Sequence, residues 1–149
     1  MYYVLVFLCT FIAMEFAANM AHRFLMHGLM WYFHADHHRK EPGFFEKNDI
    51  FFLIFAFPAM TLIMGGLLLK NYFAVSIGLG ITAYGFSYFW VHEVYIHRRL
   101  KLLDQIDNKY LRALLQAHKD HHSCLDKEGS TNFGMLWVPL KYFKAEFNA

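Results

Sequence analysis

Three long apolar stretches constrain this chain more than any other feature of its sequence. They cover residues 1–21, 50–69 and 72–91, and the charged residue within them is Glu15. Each is close to the roughly 20 residues that a helix needs to cross a membrane. With 57% hydrophobic and 17% charged residues, the chain is too apolar for an ordinary soluble domain of 149 residues. We therefore predict an all-α fold, an integral membrane helical bundle formed by a single domain over residues 1–149.

The basic residues predict the orientation of this bundle. Most of them follow the first or the third apolar stretch, among them Arg23, Arg39, Lys40, Lys47, Arg98, Arg99, Lys101, Lys109 and Arg112. Lys70 alone lies in the short loop between the second and third stretches. The positive-inside rule then places the N-terminus outside and the C-terminal third in the cytoplasm. The net charge of +2, without a dense basic run, does not suggest a nucleic-acid partner.

Two helices are expected to continue on the cytoplasmic side. We expect the first helix to continue without a break until Pro42. A helix of about 37 residues is roughly 55 Å long, which exceeds the hydrocarbon core of about 30 Å, so its last turns should lie in the cytoplasm. A further amphipathic helix is expected after Asp107, with Asp107 or Asn108 as its N-terminal cap.

Ten histidines form a doubled pattern next to these stretches. Each half of the chain reads HxxxxH and then HxxHH, and no histidine lies outside the pattern. Any single one could be a polar residue at a membrane boundary, but ten in a repeated spacing indicate metal ligands. We predict a cytoplasmic histidine-rich cap over residues 22–38 and 92–122, with the ligands His22, His27, His34, His37, His38, His92, His97, His118, His121 and His122.

Helical geometry suggests how these side chains meet. Residues i, i+3 and i+4 share one face of an α-helix, so the histidines of each HxxHH group are expected to converge. Residues five apart are about 140° apart, so we expect His22 and His27 to serve different metals or different sides of one site, and likewise His92 and His97. Ten imidazoles suit two ions, but imidazole ligands alone do not select among Fe, Cu, Zn and Ni.

Several polar residues could support this site from outside. Glu15 and Asn19 lie in the first apolar stretch, where a carboxylate is costly and usually functional, although a hydrogen bond between helices would also explain them. Glu93 is adjacent to His92 and could orient it. Asp36 and Asp120 also adjoin cluster histidines, and we expect them to be solvated charges.

The histidine boxes and the segments between them resemble the fatty acid hydroxylase superfamily and, within it, the bacterial beta-carotene hydroxylases. The matching segments are residues 14–15, 21–28, 31–38, 45–49, 82–85, 127–129 and 133–134. The third box departs from the carotenoid pattern, since it reads His92-Glu93-Val94-Tyr95-Ile96-His97 where an Asp-Gly pair usually follows the first histidine. Both histidines remain, so the departure concerns local shape and ring selectivity.

This resemblance implies a non-haem di-iron monooxygenase of the bacterial inner membrane. It would use two iron ions and dioxygen to hydroxylate beta-carotene at carbon 3 of its rings, giving beta-cryptoxanthin and then zeaxanthin. Zinc is an expected substitute for iron in a crystal. The chain carries no glycine-rich dinucleotide fingerprint, so a separate donor is expected, namely ferredoxin with its reductase. The range of carotenoids accepted and the oligomeric state stay open.

Two other functions are compatible with parts of the sequence. A fatty acid or sterol hydroxylase of the same superfamily would share the histidine boxes, and its substrate would also reach the membrane boundary. A bis-histidine haem protein belongs to a different class, but haem iron takes only one or two axial histidines, and ten are present.

Overall fold

The computed structural model describes residues 1–39, 43–103 and 108–145, and every regular element among them is helical. The α-helices are α1 (Tyr2–Met20), α2 (Trp31–Arg39), α3 (Ile50–Leu68), α4 (Tyr72–Tyr88), α5 (Lys109–His122) and α6 (Leu140–Ala145). Two π-helical segments, Ala21–Leu29 and Phe89–Ile96, continue α1 and α4, and a 3-10 turn, Lys47–Asp49, precedes α3. This confirms the predicted all-α class.

Among the residues that the structure describes, three helices are long and apolar enough to cross a membrane. They run over Tyr2–Leu29, Lys47–Leu68 and Tyr72–Ile96 when the adjoining turns are included. Helix α4 packs between α1 and α3. Glycines make these contacts close, because a Cβ on Gly78 would lie 2.8 Å from the Ala59 carbonyl oxygen of α3, and one on Gly80 would lie 2.9 Å from the Phe7 carbonyl oxygen of α1. The protein is therefore a three-helix membrane bundle with the histidine-rich segments joined to it.

The first helix is not continuous, contrary to the sequence-based expectation. It widens into the first π-helical segment after Met20 and breaks at Gly28, whose φ and ψ are both −111°. Met30, with φ −107° and ψ 24°, is the C-terminal cap of the π-helical segment, and α2 starts at Trp31. The kink at Gly28 thus separates α2 from the helix that begins with α1. Pro42, the expected end of this helix, lies outside the described residues.

Helix α5 packs on the C-terminal segment. Its apolar face, formed by Ala113, Leu114 and Ala117, makes a small core with Val138 and Tyr142. Asn108 caps the helix, since its Oδ1 accepts a hydrogen bond from the Leu111 N–H at 2.9 Å. Asp107, the alternative cap, lies outside the described residues. This packing fixes the end of α5 that carries three histidines.

A single added methyl group tests the packing of α4. We expect Gly78→Ala to destabilise the bundle by about 1–3 kcal/mol, because its Cβ would meet backbone that cannot move independently. Gly65→Ala is the matched control, since a Cβ there meets nothing within 4 Å. Thermal unfolding in detergent measures both. Equal midpoints for the two variants would contradict the close approach of α4 and α3.

Candidate metal centre

The histidines form two adjoining clusters of ring nitrogens. In the first cluster, one nitrogen from each of five rings lies within 4.8 Å of the others, and its members are His22, His27, His34, His38 and His121. The second cluster, by the same measure, contains His37, His97, His118 and His122. His92 borders the second cluster, with its Nε2 3.2 Å from the Nε2 of His37. The rings of His38 and His122 stack with centroids 4.3 Å apart where the clusters meet.

Helices α2 and α5 contribute to both clusters in a crossed arrangement. Residues four apart point the same way, so His34 and His38 of α2 enter the first cluster, and His118 and His122 of α5 enter the second. The histidine at i+3 goes to the opposite cluster, which takes His37 from α2 and His121 from α5. Each HxxHH group is thus divided two to one, rather than converging as one set.

The spacing of five in the other boxes is explained by the π-helical segments. In a π-helix the hydrogen bonds join residues five apart, as the His97 N–H does with the His92 carbonyl oxygen at 2.9 Å. The wider turn brings residues i and i+5 to the same face. His22 and His27 therefore enter the same cluster, and the His92 and His97 ring centroids lie 4.5 Å apart. The α-helical geometry assumed from the sequence was therefore wrong for these pairs, and the expectation that the two rings of a pair serve different sides of one site stays a prediction.

Every ring of the first cluster points its Nδ1 at a neutral oxygen. Four of these oxygens are backbone carbonyls of the segment after α5, and the pairs are His38 with Cys124, His27 with Lys127, His121 with Thr131 and His22 with Phe133. His34 instead points its Nδ1 at Asn48 Oδ1, 2.7 Å away. An Nδ1–H that donates to oxygen fixes the tautomer and leaves the Nε2 lone pair free for a metal.

Two rings of the second cluster region face carboxylates instead. His37 Nδ1 lies 2.7 Å from Glu46 Oε2, and His92 Nδ1 lies 2.5 Å from Glu93 Oε1. Glu46 belongs to a capping box with Asp49 around the 3-10 turn, which fixes its position. The sequence-based suggestion that Glu93 orients His92 agrees with this contact.

The Nε2 atoms lie at spacings that suit a shared cation. Facing Nε2 atoms are 3.0 Å apart in His22 and His34, and 3.2 Å apart in His27 and His121. Both rings of each pair direct Nδ1 at oxygen, so two bare lone pairs would face and repel each other. Metal–nitrogen bonds of about 2.0–2.1 Å place neighbouring ligand nitrogens about 3 Å apart at right angles. The buried Nε2 atoms of His38 and His122 have no hydrogen-bond partner among the described residues. The residues present therefore fit metal ions.

Burial keeps these rings neutral and shields them from water. It lowers the pKa of His38 to about 4 and that of His121 to about 3, so both rings are uncharged at neutral pH. The Phe133 ring covers His22, His27 and His121, and Trp31 packs against His27 and His38. Neutral, desolvated imidazoles are the form in which histidine binds metal. A porphyrin has no room between rings this close, so the haem alternative does not fit.

Glu15 anchors the segment that supplies the Phe133 carbonyl. Its Oε1 accepts hydrogen bonds from the N–H groups of Met135, Leu136 and Trp137 at 2.9–3.0 Å, and its Oε2 accepts one from Tyr84 Oη at 2.8 Å. The carboxylate thus ties α1 to α4 and to the C-terminal segment. Asn19 lies beside the same segment, 3.3 Å from where a Cβ on Gly134 would stand. The contact with Tyr84 is a hydrogen bond between helices, as one of the two sequence-based interpretations expected, and the role of Glu15 in supporting the site stays a prediction.

Some polar residues differ from their sequence-based interpretation. Asp36 is 5% exposed, and its Oδ2 accepts a hydrogen bond from the Lys47 N–H, so it is not a solvated charge. Asp120 accepts one from Tyr142 Oη at 2.9 Å and helps to hold α6 on α5. Sequence reasoning did not assign roles to Glu46 and Asn48. Their signal was the polar run Glu46-Lys47-Asn48-Asp49 directly before an apolar stretch.

The fold and the site together define a class: a helical membrane protein with two adjoining histidine clusters that could hold metal ions at one end of its bundle. Comparison with known proteins then gives the family. The fatty acid hydroxylase family matches residues 7–142, and the chain belongs to this family of oxygenases. The matched range contains all ten histidines.

The most informative relatives are carotenoid enzymes. The chain is 38% identical to a beta-carotene hydroxylase of Pantoea ananas, over 91% of this chain and 77% of that protein. It is 37% identical to a beta-carotene hydroxylase of Pseudescherichia vulneris, over 90% and 76% of the two chains. A chloroplastic beta-carotene 3-hydroxylase of an Oncidium hybrid is 39% identical over 84% of this chain, which spans 41% of that longer protein. No solved structure gives a significant match.

Removing the Glu15 carboxylate tests its anchoring role. We expect Glu15→Leu to destabilise the protein and to speed proteolysis after Lys141, because the N–H of the buried Met135 would lose its acceptor, and a buried N–H without an acceptor costs about 1–3 kcal/mol. Tyr84→Phe is the control, since it removes one partner of Glu15 and leaves its backbone hydrogen bonds intact. Thermal unfolding and limited trypsin digestion in detergent measure the effect. Equal behaviour of the two variants would show that the anchor is unimportant.

Proposed function

We propose that this protein is a beta-carotene 3-hydroxylase that converts beta-carotene through beta-cryptoxanthin to zeaxanthin. The observation that carries the proposal is the pair of adjoining histidine clusters at the end of an apolar helical bundle. The identity of 37–39% to hydroxylases of beta-carotene from bacteria and a plant supports the choice of substrate. Ring hydroxylation at carbon 3 follows the function named for the plant relative.

The proposed cofactor is a pair of iron ions, one in each cluster. His22, His27, His34, His38 and His121 would hold one ion, and His37, His97, His118 and His122 with His92 would hold the other. Zinc could take these positions in a crystal, since imidazole suits both metals. When bound, the irons supply the reduction of dioxygen that inserts one oxygen atom into a C–H bond. The balance is one C–H, O₂, two electrons and two protons, giving one C–OH and one water.

The protein's own groups would position the metal ligands and exclude water. Oxygen atoms on Nδ1 hold each ring of the first cluster so that its Nε2 points inward. The rings of Phe133 and Trp31 cover that cluster. Exclusion of water from the site would limit side reactions during hydroxylation. The described side chains therefore orient ligands, and the chemistry belongs to the cofactor.

The substrate is expected to approach within the bilayer. A carotene is an apolar rod about as long as the hydrocarbon core is thick, roughly 30 Å, so its terminal ring would reach the membrane boundary. Both π-helical segments directly continue apolar helices, and they carry His22, His27 and His92, with His97 immediately after the second segment. The metal centre would thus lie at about the same depth in the bilayer as the terminal ring of the carotene.

The setting that we propose is the inner membrane of a bacterium, with the histidine side in the cytoplasm. The basic residues around the histidine-bearing segments and the lone Lys70 of the α3–α4 turn support this orientation. Electrons would come from ferredoxin and its reductase. Residues 1–149 would act as a single hydroxylase domain.

A fatty acid or sterol hydroxylase is the second candidate. It is favoured by the family match, which is named for fatty acid hydroxylation. A lipid chain would also present C–H bonds near the membrane boundary. The two candidates differ in substrate and share the metal centre.

Expression in a bacterial host that accumulates beta-carotene tests the substrate. The protein should convert the pigment to mono- and then dihydroxylated products, which liquid chromatography and mass spectrometry separate. His118→Ala should abolish conversion through loss of a ligand, whereas Lys119→Ala, on the exposed side of α5, should retain it. Persistence of beta-carotene with inserted, iron-loaded protein would refute the carotenoid assignment, and membrane lipids should then be searched for a new hydroxyl group.

Reporter fusions test the orientation. A reporter after Ala149 should show a cytoplasmic location, and one inserted at Lys70-Asn71, between α3 and α4, should show an external one. The reason is the excess of basic residues on the histidine side. Paired reporters active in opposite compartments measure each site. The reverse pattern would separate the metal centre from its cytoplasmic reductant.

A further inference from the structure

The two clusters differ in the charge of the groups that hold their rings. All five rings of the first cluster direct Nδ1 at neutral oxygens, four of them backbone carbonyls. In the second, His37 and the bordering His92 direct Nδ1 at the carboxylates of Glu46 and Glu93. The two clusters are therefore similar in the number of their histidines, but they differ in the groups that contact the Nδ1 atoms of those histidines.

One guanidinium joins the two carboxylates. Arg99 Nη1 lies 3.0 Å from Glu93 Oε2, and Arg99 Nη2 lies 3.7 Å from Glu46 Oε1. Arg99 also donates a hydrogen bond to Asp49 Oδ1 at 2.8 Å, and Asp49 closes the capping box with Glu46. The Arg99 side chain is only 17% exposed, so solvent weakens these ion pairs less than it would at the surface. We call Glu46, Asp49, Glu93 and Arg99 the carboxylate relay.

We infer that the carboxylate relay makes the two metal positions inequivalent, so that the position of His37 and His92 binds its ion first and more tightly. The inference rests on the proposed metal centre, and it concerns which position fills first. Arg99 is a positioning residue, because it acts on His37 and His92 through Glu46 and Glu93.

Two physical effects support this order. A carboxylate on Nδ1 makes an imidazole a stronger electron donor than a carbonyl does, and it holds the ring by a charge-assisted hydrogen bond. The relay also has three acidic members and one basic member, so its formal charge is negative beside the second cluster. A divalent cation is attracted to that charge. The carbonyl oxygens around the first cluster offer only dipoles.

The test is stepwise loading of the purified, metal-free protein with ⁵⁷Fe²⁺ under anaerobic conditions, followed by Mössbauer spectroscopy. We expect two quadrupole doublets that appear in sequence, one with each equivalent of iron. Glu93→Gln and Glu46→Gln keep an oxygen that can accept from Nδ1 but remove its charge. Each should lower the affinity of the first-filled position about 10–100-fold and change the first doublet, leaving the second doublet in place.

Asn48→Asp is the reciprocal variant. Asn48 Oδ1 accepts from His34 Nδ1 in the first cluster, so this change adds a carboxylate to the cluster that lacks one. We expect the second-filled position to gain affinity and its doublet to change. Arg99→Lys keeps the charge but loses the forked geometry, so we expect an intermediate effect. Circular dichroism checks folding, and if Glu93→Gln fails to fold, Glu46→Gln in the more exposed loop carries the test.

Two outcomes would overturn the inference. Both irons could bind with equal affinity and give one doublet in the unmodified protein, which would refute inequivalence and leave the di-iron centre intact. Alternatively, both Glu→Gln variants could load the first iron unchanged, which would show that the relay only holds the loop. A protein that binds no iron at all would refute the proposed metal centre together with the inference.

Discussion

The hydrogen bond between a histidine Nδ1 and an oxygen is the interaction on which the arrangement of the clusters depends, and all five rings of the first cluster make it, as do His37 and His92. Without it, an imidazole at the end of a flexible side chain could present either nitrogen, and facing rings such as His27 and His121 would rotate apart. The oxygens come mainly from the segment between α5 and Phe133, which has no regular structure. Its free backbone carbonyls are available because they are not used in a helix. The irregular conformation of this segment thus supplies carbonyl oxygens that a helix would have used internally.

The position of that segment depends in turn on Glu15. A carboxylate within an apolar helix is costly unless it is paired, and here it accepts hydrogen bonds from three consecutive N–H groups and from Tyr84. These hydrogen bonds link the helical bundle to the segment that carries Phe133, whose carbonyl oxygen contacts His22 Nδ1. The membrane helices and the metal centre are therefore mechanically connected, although they differ entirely in polarity.

The π-helical segments solve a geometric problem at the membrane boundary. Each box must aim two side chains five residues apart at the centre, and an α-helix would point them about 140° apart. Hydrogen bonds between residues five apart remove this angle, and Gly28 then redirects the chain into α2. His34 and His38 enter one cluster and His37 enters the other, so a single helix contributes ring nitrogens to both clusters.

The sequence by itself determined the all-α class, the three apolar helices and the ten histidines, because apolar length and residue type are properties of local sequence. It also identified Glu15 and Glu93 as notable. Only the tertiary structure decided the partition of the histidines into two clusters, the break at Gly28 and the roles of Glu46, Asn48 and Arg99. The physical reason is that these depend on helix geometry and on contacts between segments distant in sequence, such as His38 with Cys124, which no local pattern encodes.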